Sequence, residues 1–130
     1  MWNDQDRPGR IGWMDLTVED APGVRDFYSA VAAWQPSEVP MEGYSDFAMS
    51  VAGTEDGLTG ICHRRGQNAA IPAQWIPYIV VADLAAAAAE AANRGAELLV
   101  PPSDAEGGGY AIVRGLAGEV FGLWQDAPAS

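Results

Sequence analysis

Apolar and polar positions follow two different periods along this chain, and the switches between them mark its elements. "IGWMDLTVED" opens as a short strand whose two-residue period puts Trp13, Asp15 and Thr17 on one face. A helix is predicted to start at Asp20, whose carboxylate caps free amide groups, with Pro22 in its first turn. Val24, Phe27, Tyr28 and Val31 then recur at i, i+3, i+4 and i+7 and predict one buried helical face. "WQPSEV", "DFAMSV" and "LTGICHR" follow as short strands between Gly-, Pro- and acid-containing turns. The same order then repeats. "WIPYIVV" is strand-like, Asp83 caps the helix "LAAAAAEAANR" that stops at Gly95, and "AELLV", "YAIVR" and "EVFGLWQ" are three more strands. "LTVEDAPGV" lies over "IVVADLAAA" and "LTGICH" over "VFGLWQ" with nearly the same offset, as two copies with one loop deletion require.

Composition narrows the function classes. With 130 residues, 48% of them hydrophobic, the chain has enough apolar material for the core of one domain. A net charge of −11, from seven basic and eighteen acidic residues, leaves no positive stripe for a phosphate backbone, so nucleic acid is not an expected partner. No apolar run reaches the roughly 18 residues of a membrane span, and the polar start "MWNDQDRPGR" lacks a signal-peptide layout. A cytoplasmic protein without a membrane partner is expected. The single cysteine, Cys62, has no partner within the chain for a disulfide, in keeping with a reducing compartment.

The joints "DLTVEDAPGVRDFYSAVAAW" and "YIVVADLAAAAAEAANRGAELLVPP" and the ending "GLAGEVFGLWQ" resemble the vicinal oxygen chelate superfamily, which includes glyoxalase I, extradiol dioxygenases, fosfomycin-modifying enzymes and bleomycin-resistance proteins. The resemblance covers residues 11–125. It implies an α+β fold in which two tandem βαβββ modules, 11–65 and 75–125, form a curled eight-stranded mixed sheet around a cleft, with tails at 1–10 and 126–130. Members that use a metal hold it by four ligands, typically His and Glu, one on the first and one on the fourth strand of each module. Those places fall here on Trp13, Gly60, Ile76 and Gly122, and a shift of two residues substitutes Asp15, Cys62, Tyr78 and Trp124. None of the first four offers the imidazole, carboxylate or thiolate group a divalent ion takes, and the shifted set, with two aromatic members, is an implausible ligand set as well, so no metal or other cofactor is expected.

Within such a cleft, alternation turns Trp13, Asp15 and Thr17 inward from the first strand, Gly60 and Cys62 from the fourth, Ile76 and Tyr78 from the fifth, and Gly122 and Trp124 from the eighth. Aromatic side chains around two glycines predict a roomy pocket for a small organic molecule, the glycines leaving space a packed core would fill. Asp15 is the candidate catalytic residue, as a general base or as an anchor for a cationic group. His63 is turned away from Cys62 toward a loop edge, and Cys62 reads as inert packing. Arg64 and Arg65 read as a solvated pair or an anion site, and "PPSDAEGGGY", residues 101–110, as a lid or an ordinary connection. Pro77 suits a strand at the border of its sheet. Enzyme and binding protein both stay open. The alternatives are a metal-dependent lyase or dioxygenase of the same superfamily and a drug-sequestering resistance protein, whose acidic cleft at a homodimer interface would fit a cationic ligand.

Overall fold

A computed structural model describes residues 7–54, 57–103 and 108–126. Asp20 caps the first helix as expected, accepting a hydrogen bond from the Gly23 amide at 3.0 Å, and Asp83 caps the second through the Ala86 amide at 3.0 Å. The elements are β1 (Ile11–Val18), α1 (Ala21–Ala32), β2 (Trp34–Pro40), β3 (Ser45–Val51), β4 (Gly57–His63), β5 (Trp75–Val80), α2 (Leu84–Asn93), β6 (Glu97–Val100), β7 (Gly108–Arg114) and β8 (Val120–Asp126). The α+β fold of two tandem βαβββ modules, with eight strands of mixed sheet, is therefore present among the described residues.

The chain divides into two compact units, Met14–Trp75, and Met1–Trp13 with Ile76–Ser130. In the first, the strand order is β2-β3-β4-β1, antiparallel except for the β1–β4 pair. Leu16, Val18, Phe47, Met49 and Ile61 face α1 and form its core with Ala21, Val24 and Tyr28. The second unit repeats the order as β6-β7-β8-β5, with β5–β8 the parallel pair, and there Leu84, Ala111, Val113 and Leu123 form the core under α2. Residues 9 and 10, expected in a tail, pair with β5 instead: the Gly9 amide donates to the Val80 carbonyl at 2.7 Å, and the Val80 amide to the Arg10 carbonyl at 2.8 Å. Pro77 lies just before the β5–β8 pairing begins at Tyr78, outside that ladder.

The repeat extends to register. Asp15 stands opposite Gly60 in the β1–β4 pair, and Tyr78 opposite Gly122 in the β5–β8 pair, the positions that the sequence alignment equates. One expectation for α1 is corrected. Val24 and Tyr28 pack on the core, but Phe27 is 57% exposed and Val31 67%, because the stripe that meets the sheet is narrower than the apolar arc and leaves its flank outside.

Candidate functional site

Because Leu16 and Val18 face α1, the alternate residues Trp13, Asp15 and Thr17 lie on the opposite face of β1. In the second unit Ile79, Val81, Phe121 and Leu123 face α2, which sends Tyr78, Val80, Gly122 and Trp124 to the face away from the helix. On that face a pocket of about 320 Å³ is lined by Gly12, Trp13, Tyr78, Val80, Trp124 and Asp126. Tyr78 and Trp124 meet edge to face at 6.4 Å, and Tyr110 stands edge-on to Tyr78 at the same centroid distance. The Trp124 indole N–H donates to Asp126 Oδ1 at 2.7 Å. Trp13, Tyr78 and Trp124 of the expected cleft thus come together here. Gly12, Val80 and Asp126 were not anticipated, and Asp126, placed by the sequence in a tail, is the last residue of β8, where it pairs with Gly108.

The space expected above the two glycines is taken. At Gly122 the Tyr78 ring occupies the position a β-carbon would need, with Cγ 2.8 Å from it, and at Gly60 the Asp15 carboxylate fills the same role, with Oδ1 at 2.5 Å. The missing side chains make room for a cross-strand neighbour, so the openness expected at Gly60 and Gly122 is corrected. Gly122 is buried and Ile76 is only 1% exposed, and neither is among the residues lining the pocket.

Asp15, Gly60 and Cys62 belong to the Met14–Trp75 unit and gather there around a carboxylate the sequence reading missed. Asp46 lies close enough to Cys62 for its charge to act on the thiol, accepts the His63 backbone N–H at 2.9 Å, and lies 3.1 Å from His63 Nδ1. Burial pushes the Cys62 thiol up, and the charges of Asp15 and Asp46 push it further, so the sulfur stays protonated and non-nucleophilic. His63 is not at a free loop edge. Its side chain is 19% exposed, bound to Asp46 and covered edge-on by Tyr44 at 5.2 Å. Only the β3–β4 register, with Phe47 opposite Ile61, brings Asp46 beside Cys62, and no local sequence signal carries a register.

Arg64 spends its donors on the Ile71 carbonyl at 3.0 Å and the Thr17 carbonyl at 3.5 Å, and the Arg65 guanidinium lies 4.1 Å from the Tyr44 ring centroid. Of residues 101–110, read as a lid or an ordinary connection, 104–107 lie outside the described residues. A second hollow of about 380 Å³, lined by Met14, Trp34, Leu58, Thr59 and Trp75, lies within the Met14–Trp75 unit, and none of these lining residues is charged. Trp34 and Trp75 there pack with Tyr28, whose hydroxyl accepts the Trp75 indole N–H at 3.1 Å.

The metal that some members of the fold hold does not fit these residues. Trp13 and Ile76 offer no donor atom, and the side-chain space of Gly60 and Gly122 is filled by Asp15 and Tyr78. Among the described residues no three His, Cys, Asp or Glu side chains are grouped to hold an ion. Nor is any helix among them long and apolar enough to cross a membrane.

Comparison with known proteins bears on the fold. No protein-family model matches the chain. A variant of Streptomyces coelicolor methylmalonyl-CoA epimerase in complex with 2-nitronate-propionyl-CoA superposes with a TM-score of 0.57 at 16% identity, over 95% of this chain and 99% of that one. Methylmalonyl-CoA epimerase from Mycobacterium tuberculosis gives 0.52 at 14% identity, over 98% and 94%. Among curated proteins, the anthracycline biosynthesis protein DnrV of Streptomyces peucetius is 28% identical over 103 residues, 75% of this chain and 34% of DnrV. The chain therefore spans about a third of the length of that relative. The fold is that of the vicinal oxygen chelate superfamily, to which the epimerases belong.

Proposed function

We propose that the protein binds a small, largely apolar aromatic molecule in the pocket of Trp13, Tyr78 and Trp124, and that it does so without a resident metal. The observation that carries this reading is the lining itself: among the described residues, three aromatic side chains and one carboxylate around about 320 Å³. That volume stands at the lower end of the roughly 300–1,000 Å³ of small-molecule sites, where apolar surface supplies affinity and a few polar atoms set orientation. The aromatic edges and faces are oriented before any ligand arrives, with Trp124 fixed by Asp126 and Tyr78 by its seat on Gly122, so little ordering cost is left for binding. The similarity to a protein named for anthracycline biosynthesis supports an aromatic ligand, since anthracyclines are built on fused aromatic rings.

Calorimetric titration with 1-naphthalenemethanol, an uncharged two-ring probe, tests the reading. Saturable binding is expected, and Trp13→Ala should weaken it by about 1–3 kcal/mol, the value of a lost aromatic contact and its buried area. Binding left unchanged by Trp13→Ala would contradict the assignment of the pocket.

A further inference from the structure

Resting on that reading of the pocket, we infer that its ligand is a protonated amine carried on an aromatic body, with Asp126 as the anchor of the ammonium group. Among the described residues, Asp126 is the one charged side chain in the lining. Among the described residues its carboxylate takes a single side-chain hydrogen bond, from Trp124 to Oδ1, and makes no ion pair. A neutral ligand closing over the pocket would strip water from this carboxylate and return nothing for the acceptor sites left over, which is costly. An ammonium group supplies both the opposite charge and the N–H donors those sites need.

The remaining walls favour the same ligand. Trp13, Tyr78 and Trp124 present indole and phenol rings, whose faces attract cations electrostatically, most strongly for indole. The net charge of −11 draws cations toward the protein from a distance, whereas a carboxylate ligand would meet repulsion both at long range and at Asp126. The short Trp124–Asp126 bond joins the two kinds of recognition, because the residue that covers the ligand's aromatic part also orients the carboxylate for its amine.

The test compares 1-naphthalenemethylamine with 1-naphthalenemethanol, of the same skeleton, on the full chain by calorimetry at neutral pH and about 0.15 M salt, where fields beyond roughly 8 Å are screened. The amine should bind at least about ten-fold more tightly. Asp126→Asn keeps an acceptor for the Trp124 N–H and so preserves the local structure. It should abolish the amine's preference, so that the ratio of the two affinities falls from at least about ten-fold to less than about two-fold. Equal binding of both probes to the unmodified protein, or an amine preference that survives in Asp126→Asn, would overturn the inference and leave the aromatic pocket standing. Failure of both probes to bind would instead remove the pocket reading on which it rests.

Discussion

Tyr78 lies across the backbone of Gly122 and Asp15 across that of Gly60, and the two contacts differ in how easily they yield. At Gly122 the contact reaches Cγ at the root of a rigid ring, whereas at Gly60 the close contact is with Oδ1 at the tip of the side chain. Gly122→Ala should therefore cost about 1–3 kcal/mol, the usual price of overpacking, and Gly60→Ala less than about 1 kcal/mol. Urea denaturation of the two variants checks the order. Cys62 carries a second prediction. In the unfolded chain a cysteine ionises near about pH 8.5, while the folded thiol stays protonated beyond that, so above this pH the folded state holds more protons and loses stability as pH rises. The expected loss is about 1 kcal/mol between roughly pH 8.5 and 9.5, below the range of tyrosine. All seven basic residues being arginine, no lysine titration overlaps it. Cys62→Ala should flatten the slope, and denaturation at stepped pH measures it.

At the scale of elements, what the sequence made legible was whatever depends on local periodicity and chain punctuation. Both helices, their aspartate caps and the eight strands follow from spacing and turn residues, and the double βαβββ order from self-similarity. What it concealed depends on pairing between distant segments. The filling of Gly60 by Asp15, the reach of Asp46 to Cys62 and His63, and the inclusion of Asp126 in β8 all rest on register, which no local pattern encodes. The exposed flank of Phe27 and Val31 was hidden for a related reason, since helical spacing defines an apolar arc but not how much of it the sheet reaches. The caps themselves are testable. Asp20→Ala and Asp83→Ala should each lower stability by about 1 kcal/mol. The loss at Asp83 should be the smaller, because the α2 end has a further acceptor: the Gln125 side-chain oxygen takes the Leu84 amide at 2.7 Å. Thermal denaturation of the two variants decides this.

For the whole molecule, the vicinal oxygen chelate fold supplies the same βαβββ frame twice and leaves the chemistry to whatever stands on the helix-free faces. Here one unit carries an aromatic pocket with a carboxylate, and the other a protonated thiol between two aspartates. Protein purified without chelators and dialysed is expected to hold far less than one equivalent of zinc, nickel, manganese or iron per chain, because the four ligand places of metal-using relatives offer no ligating side chain. Elemental analysis checks that. The most direct test of the aromatic pocket is a titration of protein labelled with 15N in its tryptophan indoles, with the signals assigned by single Trp→Phe changes. On addition of 1-naphthalenemethanol the Trp13 and Trp124 indole resonances should shift together and saturate, while those of Trp34 and Trp75, which line the second hollow, stay in place. Shifts confined to Trp34 and Trp75, or Trp13 and Trp124 signals unmoved by ligand, would contradict the account.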